Sequence, residues 1–294
     1  MDTAPDRTIP DSGAHLIDAQ TQLTGVLGYP VRHSLSPVMH NAAFRHLGLN
    51  WVYLAFETPP EALADALRGM RALGIRGLNL TIPHKETALP LVDALTQAAQ
   101  AIGAVNTLFW EAWRLVGENT DAEGFLHALK AEGCEPAHGH VLVLGAGGAA
   151  RAVVYALKSI GCHITVANRT LARAQALSEK FGVEALPLQR EALRPLLNRV
   201  QLVVNCTALG MGTYADTMPD VPLEALPAGA WVCDLVYRPR WTRLLQTAQQ
   251  LGLHTIDGLG MLVYQGALAF ERWTGVPAPV EVMRKALESA VDPS

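Results

Sequence analysis

A glycine-rich turn between an apolar run and a helix-like segment is the feature that most constrains how this 294-residue chain folds. The apolar run is 141–144, a Gly-x-Gly-x-x-Ala pattern spans Gly145 to Ala150, and apolar residues at helical spacing continue to Ser159. Gly145 allows a tight turn, Gly147 lets the backbone approach a pyrophosphate, and the helix start offers free N–H groups and a positive dipole end. The pattern predicts a strand, turn and helix that bind a dinucleotide; a glycine turn without a ligand is the alternative.

The end of the next predicted strand indicates which dinucleotide is bound. An NAD-binding unit usually has Asp or Glu there, about 20 residues on, to hold the ribose 2′-hydroxyl. Here the place holds Asn168-Arg169-Thr170, and Arg173 follows one helical turn later. A carboxylate would repel a 2′-phosphate, whereas Arg169 and Arg173 can pair with it, so NADP is the expected cofactor. Solvated arginines at a helix start are the alternative.

Apolar runs alternate with helix-like segments on both sides of this turn, a βαβ rhythm that is typical of parallel sheets. The predicted strands are 23–27, 51–56, 77–80, 141–144, 163–167, 202–204 and 231–235, and the predicted helices include 37–47, 61–73, 260–273 and 280–290. We expect an α/β fold of two α/β domains, an N-terminal substrate domain with a mostly parallel sheet and a Rossmann-type dinucleotide-binding domain. The active site is expected in the cleft between them.

The same alternation predicts where each part of the chain begins and ends. Residues 1–22 lack apolar periodicity and are expected to form a flexible N-terminal extension. The substrate-binding and catalytic domain is expected at 23–124, and the NADP-binding Rossmann domain at 125–257. Residues 258–294 show helical patterns only, so we expect C-terminal helices that pack back on the substrate domain.

Composition and charge argue against several classes of function. A formal net charge of -4 leaves no basic field for a nucleic acid. The four cysteines are widely spaced and the ten histidines show no ligand pattern, so neither a disulfide framework nor a metal site is expected. The start of the chain does not resemble a secretion signal, and the most apolar stretch is broken by glycines and charges. We expect a cytoplasmic protein without membrane contact.

Two charged residues, one beyond a predicted strand and one at a predicted helix start, are candidates for acid–base chemistry. A ketone that accepts a hydride needs a proton as its oxygen gains charge. Lys85 lies just beyond a predicted strand, where parallel sheets collect ligands, and its ammonium can stabilise the developing alkoxide. Asp121 follows Thr120, whose spacing to Glu123 is that of a capping box. The alternatives are a surface lysine and an ordinary helix start, and spacing does not choose between them.

A serine pair before a proline supports two interpretations at once. In Ser34-Leu-Ser36-Pro37, Ser36 is expected to be the N-cap of a helix with Pro37 at its first position. Two hydroxyls and free N–H groups at a helix start also form a site for a substrate carboxylate. The cap and the carboxylate site are compatible.

Nine motifs in register after Leu23 resemble the shikimate dehydrogenase family in order and spacing. They are His33-Ser-Leu-Ser-Pro37, Asn79 to Lys85, Gly103-Ala-Val-Asn-Thr107, Asn119-Thr-Asp121, Gly145 to Arg151, Asn168-Arg-Thr170, Asn205-Cys-Thr207 with Gly210-Met211, Asp234-Leu-Val-Tyr237, and Asp257-Gly-Leu-Gly-Met261 to Gln265. The resemblance implies NADPH-dependent reduction of 3-dehydroshikimate to shikimate, a step of chorismate and aromatic amino acid biosynthesis.

The resemblance also implies site residues. Lys85 and Asp121 would be the catalytic pair. With that pair, the substrate site would comprise Ser34, Ser36, Asn79, Thr81, Asn106, Tyr237 and Gln265. The cofactor site would comprise Gly145, Ala146, Gly147, Gly148, Ala149, Asn168, Arg169, Thr170, Arg173, Thr207, Met211, Val236, Gly258 and Met261. Core packing is the alternative for Met261.

Two other functions stay open at this stage. A related dehydrogenase that oxidises quinate with NAD is the nearer alternative, although the arginines argue against NAD. A catalytically silent NADP-binding sensor is the other, because a Rossmann unit alone guarantees no chemistry. The expected partner is the small-molecule substrate, and the sequence leaves open whether the protein is a monomer or a homodimer.

Overall fold

Two six-stranded sheets organise the protein in a computed structural model that describes residues 17–291. The first sheet contains β1 (Gln22–Gly28), β2 (Trp51–Glu57), β3 (Gly77–Leu80), β4 (Ala94–Leu95), β5 (Thr107–Glu111) and β6 (Arg114–Glu118), in the order β2-β1-β3-β5-β6-β4. The second contains β7 (His140–Leu144), β8 (His163–Asn168), β9 (Glu184–Pro187), β10 (Val200–Asn205), β11 (Trp231–Asp234) and β12 (His254–Ile256), in the order β12-β11-β10-β7-β8-β9.

Helices connect the strands and cover the sheets. They are α1 (Ser36–His46), α2 (Leu63–Ala72), α3 (His84–Thr87), α4 (Gln97–Ile102), α5 (Asp121–Ala131), α6 (Gly148–Ser159), α7 (Leu171–Phe181), α8 (Arg190–Leu197), α9 (Arg243–Gln250), α10 (Leu259–Thr274) and α11 (Val280–Val291). The predicted strands and helices are confirmed to within a few residues, except that a short 3-10 helix, Pro60–Ala62, precedes α2. No helix in the described part of the chain is long and apolar enough to cross a membrane.

The second sheet is parallel throughout and has the strand order of a Rossmann fold. Its order reverses between β7 and β10, and a ligand binds at such a switch point outside the carboxyl ends of the strands. Strands β9 and β12 were not predicted, because four and three residues are too few to show a period.

The first sheet is mixed. Strands β2, β1 and β3 are parallel, as predicted, whereas β3, β5 and β6 pair antiparallel. A two-residue turn of Ala112 and Trp113 joins β5 to β6, with φ angles of 45° and 70°. Asn or Gly usually supplies positive φ in such hairpins, and this turn has neither, so the sequence carries no hairpin signal here.

Helices α10 and α11 complete the core of the first unit. Phe270 of α10 and Met283 and Leu287 of α11 are fully buried in one apolar cluster with Met39 and Phe44 of α1. Helix α10 also packs along α5, and α5 runs across the boundary expected after residue 124. Because α5 is continuous through residues 124 and 125, the helix does not mark a boundary there. The expected domain limits stay predictions.

The N-terminal extension expected at 1–22 lies mostly outside the described residues. Its last residues lead into β1, where the Thr21 hydroxyl donates a 2.7 Å hydrogen bond to Asn50 Oδ1. Strand β1 begins at Gln22, one residue earlier than the apolar run indicates.

A prediction follows from the contact between β3 and α10. A Cβ atom at Gly77 would overlap the indole ring of Trp273, whose Nε1 donates to Leu108 O at 3.0 Å. Because the ring is buried and rigidly held, Gly77→Ala should lower the free energy of unfolding by about 1–3 kcal/mol in urea titrations. Gly69→Ala is the control: its Cβ meets nothing within 4 Å inside α2, so a gain of about 0.5–1 kcal/mol is expected. Equal effects of the two variants would contradict the packing account.

Candidate active site

An ion pair between α3 and α5 lies at the centre of the site. Lys85 Nζ is 2.5 Å from Asp121 Oδ2, and the two side chains are 22% and 7% exposed. Lys85 follows β3 on the short helix α3, and Asp121 is the first residue of α5. The fold therefore brings together the two candidates that sequence spacing left undecided, because a mostly desolvated ammonium is retained only beside an opposite charge.

Asn106 connects this ion pair to the first sheet. Its Nδ2 donates to Asp121 Oδ1 at 2.8 Å, and its Oδ1 accepts from Thr120 N, also at 2.8 Å. Gln265 Oε1 lies 3.4 Å from the same Nδ2. Asn106 and Gln265, 159 positions apart in the chain, thus reach one site together with the ion pair.

The start of α5 is not the predicted capping box. Thr120 makes no side-chain cap; its hydroxyl is instead 3.0 Å from Asn106 Nδ2. Asn119 Oδ1 accepts from Asp121 N at 3.1 Å. The capping box is wrong because the buried network around Asn106 engages the threonine hydroxyl, which spacing alone does not show.

The serine pair is arranged differently from the predicted cap. Ser36 is the first residue of α1, and Leu35 occupies the N-cap position without a side-chain bond. Ser34 Oγ accepts from Ser36 N at 3.3 Å. Ser36 as the N-cap is therefore wrong by one position, while Pro37 does lie in the first turn. Ser36 is buried and Ser34 is half-buried at this helix start.

Asn79 is held by a residue that the sequence did not single out. The hydroxyl of Tyr53, which is fully buried on β2, donates to Asn79 Oδ1 at 2.8 Å. Asn79 Nδ2 donates to Asn106 O and Thr107 Oγ1, both at 3.1 Å. Tyr53 was missed because an aromatic residue in an apolar strand looks like ordinary core; a polar hydroxyl in a buried strand was the available signal. Thr81 is half-buried at the end of β3.

The glycine turn has the conformation that the dinucleotide fingerprint requires. Gly145 has a φ of +105°, and a Cβ there would lie 3.1 Å from the Cys206 carbonyl group. Gly147 and Gly148 have open space where a Cβ would be, at the N-terminus of α6. Ala146 and Ala149 are half-buried beside them, and Ala150 is fully buried against the strand. The turn leaves its backbone open for a pyrophosphate, so these residues fit a dinucleotide.

The two candidate phosphate-binding arginines lie at the adjacent strand end. Asn168 ends β8, and its Nδ2 donates to Thr170 O at 2.9 Å, which shapes the turn into α7. Arg169, Thr170 and Arg173 are exposed. Within residues 17–291 neither arginine forms an ion pair, so both guanidinium groups are available for a 2′-phosphate.

A buried carboxylate holds the loops after β10 and β11. Asp234 Oδ1 accepts from Asn205 Nδ2 at 2.9 Å and from Val236 N at 3.0 Å, and its Oδ2 accepts from Thr242 Oγ1 at 2.7 Å. Asn205 Oδ1 in turn accepts from the Thr207 hydroxyl at 2.7 Å. Thr207 and Val236, both candidate cofactor contacts, are therefore held by one anion at the edge of the sheet.

The remaining candidates come from the loops after β10 and β11 and from the start of α10. Gly258 is packed so closely that a Cβ would be 2.5 Å from Leu235 O. Met261 is 9% exposed in the core cluster of α6, whereas Met211 is 41% exposed on the loop after β10. The packing of Met261 agrees with the core alternative, and Met211 is accessible. Tyr237, half-buried after β11, packs against the apolar cluster of the first unit.

No group of three or more His, Cys, Asp or Glu side chains between residues 17 and 291 has the geometry of a metal site. His40 is fully buried and stacks on Tyr53 with ring centroids 4.3 Å apart. Burial lowers the pKa of His40 to about 3. This histidine is therefore a neutral core residue.

Comparisons with known proteins cover almost the whole chain. The model of the shikimate dehydrogenase substrate binding domain matches residues 26–108, that of shikimate/quinate 5-dehydrogenase matches 128–212, and that of the shikimate 5′-dehydrogenase C-terminal domain matches 258–288. The shikimate dehydrogenase (NADP(+)) of Methanopyrus kandleri is 50% identical over 279 residues, which are 92% of this chain and 96% of that protein.

Solved structures agree with this match. A shikimate dehydrogenase in complex with NADP+ has a TM-score of 0.89 and 42% identity over 94% of this chain and 98% of its own. Shikimate 5-dehydrogenase of Thermus thermophilus, in complex with NADP(H) and shikimate, has a TM-score of 0.83 and 48% identity over 92% of this chain and 100% of its own.

The fold and the site together define the class. A Rossmann sheet with an open glycine turn, joined to a second α/β unit that carries a buried lysine–aspartate pair, is the arrangement of a two-unit α/β oxidoreductase. The chain belongs to the shikimate dehydrogenase family.

The protonation of Asp234 gives a prediction about stability. Burial raises its pKa from 3.8 to about 6, despite the three hydrogen bonds that favour the charged form. The folded protein therefore binds this proton more tightly than the unfolded chain. Binding of this proton adds about 3 kcal/mol to the free energy of unfolding at low pH, and this contribution is lost as the pH rises through about 6.

Asp234→Asn should remove this dependence while keeping the shape of the network. Between about pH 4 and about pH 7.5, the free energy of unfolding of the variant relative to wild type should rise by about 2 kcal/mol in urea titrations. Asp216→Asn, at an exposed carboxylate after the loop of Met211, controls for the loss of one charge. Parallel pH profiles of wild type and Asp234→Asn would show that Asp234 titrates normally.

Proposed function

We propose that this chain is an NADP-dependent shikimate dehydrogenase, which reversibly reduces the ketone of 3-dehydroshikimate to shikimate. The observation that carries the proposal is the Lys85–Asp121 pair, which is largely buried and lies next to the start of the dinucleotide-binding helix. The names and bound ligands of the relatives at 42–50% identity support the same substrate and cofactor.

The chain's own residues account for the acid–base chemistry. Bound NADPH supplies the hydride, and NADP+ accepts it in the reverse direction. As the ketone oxygen gains negative charge, the Lys85 ammonium donates a proton to it and stabilises the developing alkoxide. Asp121, which accepts a hydrogen bond from Asn106, holds Lys85 in place and accepts a hydrogen bond from a substrate hydroxyl.

The other polar groups are proposed to orient the substrate. Ser34 and Ser36 at the start of α1 hold its carboxylate, because hydroxyls and free N–H groups at a helix start favour an anion. Asn79, Thr81, Asn106 and Gln265 bind its hydroxyl and carboxylate groups, and Tyr237 closes the pocket. Several fixed polar contacts around one ring orient the ketone toward the cofactor, which lowers the entropic part of the barrier.

The glycine turn and the arginines are proposed to hold the cofactor. Backbone N–H groups of Gly147 and Gly148 bind the pyrophosphate, and Arg169 and Arg173 bind the 2′-phosphate. Thr207, Met211 and Val236 on the loops after β10 and β11, with Gly258 before α10, line the nicotinamide site, and Met261 in the first turn of α10 packs behind it. The cytoplasmic location and the oligomeric state, monomer or homodimer, stay predictions.

Turnover itself tests the proposed activity. Purified protein is mixed with shikimate and NADP+, and reduced nicotinamide is followed by absorbance, with NAD+ or quinate replacing each component in turn. Shikimate with NADP+ should react at least about tenfold faster than shikimate with NAD+, since one charge-assisted bond to the 2′-phosphate is worth about 1.5–3 kcal/mol. It should also react at least about tenfold faster than quinate with NADP+, because the extra hydroxyl of quinate has no partner in a pocket that fits shikimate. Absence of turnover in a protein that binds NADP+ would overturn the proposal in favour of a sensor.

Substitution of the proposed acid separates chemistry from binding. Lys85→Gln keeps a hydrogen bond to Asp121 but cannot transfer the proton, so kcat should fall roughly 10²- to 10⁴-fold. The affinity for NADP+, measured by isothermal titration calorimetry, should stay within a factor of about two of wild type. Lys130→Gln, at an exposed lysine in the last turn of α5, is the control. Full activity of Lys85→Gln would exclude Lys85 as the acid.

Substitution of the arginines tests the choice of cofactor. Arg169→Ala should weaken NADP+ binding by about tenfold or more and leave NAD+ binding unchanged, because only NADP+ carries the 2′-phosphate. Arg199→Ala is the control. It removes an exposed arginine that directly precedes β10, at the end of the strand away from the loop of Thr207, and should leave the affinity for both cofactors unchanged. Equal losses for NADP+ and NAD+ in Arg169→Ala would contradict the proposed contact.

A further inference from the structure

Two neighbouring segments of the first unit, α3 with Lys85 and the end of α4, are each held by the Rossmann unit, and neither contact is explained by substrate or cofactor binding. Arg151 of α6 places Nη1 2.9 Å from Glu86 Oε2 on α3. Lys180 of α7 donates from Nζ to Ile102 O, at the end of α4, at 2.9 Å. We call these two contacts the interdomain clamp.

The first contact starts from the dinucleotide-binding turn. Arg151 lies in the first turn of α6, directly after the glycine pattern, and its side chain is 26% exposed. Its Nε is buried and has no hydrogen-bond partner among the described residues. A guanidinium placed at that desolvation cost needs a compensating partner, and Glu86 provides the carboxylate.

The second contact closes the end of α4. Gly103 ends this helix with a φ of +72°, and a Cβ there would be 2.6 Å from Lys180 Nζ. A cation at the last carbonyl of a helix is favourable because it meets the negative end of the dipole. Partial burial lowers the pKa of Lys180, with Arg151 adding to that direction and Glu86 opposing it.

The two contacts reach the catalytic residues through very short connections. Glu86 directly follows Lys85, and Val105 N donates to Lys85 O at 2.7 Å. Val105 precedes Asn106, which binds Asp121. Helix α4 also packs on α6, and Ile102 shares one apolar cluster with the α6 core. Any movement of α6 relative to α3 and α4 therefore changes the position of Lys85 relative to the dinucleotide-binding turn.

We propose that Arg151, Glu86 and Lys180 are positioning residues that set the location of Lys85 relative to the bound cofactor. The inference rests on the proposed function. The clamp joins the helix that binds the pyrophosphate to the segment that supplies the proton, so its loss lowers the rate of the chemical step. Binding of either ligand alone depends little on the clamp, because none of the three side chains is placed in a ligand site.

An electrostatic effect on Lys85 is the competing explanation, and it predicts effects of opposite sign for substitutions of Glu86 and Arg151. Glu86→Gln removes a negative charge near Lys85, whereas Arg151→Gln removes a positive one. Acting by charge, the two variants would shift the pH midpoint of kcat in opposite directions. Acting by position, they lower kcat by the same factor and leave the pH midpoint in place.

The test measures kcat, the KM values for shikimate and NADP+, and the pH profile of kcat in Glu86→Gln, Arg151→Gln, their double variant, Arg151→Lys and Lys180→Gln. The single Gln variants at 86 and 151 should each lower kcat about fivefold, the size of one partly exposed ion pair, with both KM values nearly unchanged. The loss of kcat in the double variant should be no greater than in either single Gln variant. Arg151→Lys, which keeps the positive charge, should retain most of the wild-type kcat. Lys180→Gln should lower kcat in the same way.

Arg194→Gln is the matched control, because its 3.1 Å pair with Glu224 lies wholly within the Rossmann unit. Additive losses in the double variant, opposite shifts of the pH midpoint, or wild-type kcat in both single variants would overturn the inference. Wild-type protein without turnover would instead overturn the proposed function, so the two failures are distinguishable.

Discussion

A lysine ammonium that is mostly removed from water must have a carboxylate beside it, and the rest of this site depends on that requirement at Lys85 and Asp121. Meeting it takes residues from distant parts of the chain. Strand β3 leads to Lys85, α5 begins at Asp121, and Asn106 connects the two to the first sheet. The antiparallel pairing of β3 with β5 places Thr107 opposite Asn79 and so puts Asn106 beside the ion pair. The mixed first sheet is thus part of how the site is built.

The second unit contributes a buried parallel sheet with polar loops at the carboxyl ends of its strands. Its parallel strands are fully buried at the centre, and the loops after β7, β8, β10 and β11 emerge at one edge. Asp234 holds two of these loops by accepting three hydrogen bonds, at a cost in desolvation that raises its pKa to about 6. A buried carboxylate of this kind stabilises loop geometry at the expense of overall stability, which is typical of a binding site.

Much of the fold was predictable from the sequence because it follows from local patterns. The glycine turn and the strand runs of the Rossmann unit are confirmed, since both depend on neighbouring residues. The β5–β6 hairpin was not predictable, because Ala112 and Trp113 adopt positive φ without a glycine. The cap at Thr120 was wrong for a related reason: Asn106, 14 positions earlier in the chain, engages its hydroxyl. The cap at Ser36 was wrong by one position, because α1 already begins at Ser36. Tyr53 was missed because a single sequence does not show that its hydroxyl contacts Asn79.

The measurement that tests the account most directly is a crystal structure of the protein with NADP+ and shikimate bound. The account predicts Lys85 Nζ within hydrogen-bond distance of the shikimate hydroxyl that is oxidised, still paired with Asp121. It also predicts the carbon of that hydroxyl about 3–3.5 Å from the reactive nicotinamide carbon, the separation of a reactive complex. Shikimate bound away from Lys85, or a nicotinamide that faces another part of the chain, would contradict the assignment of this ion pair as the acid–base centre.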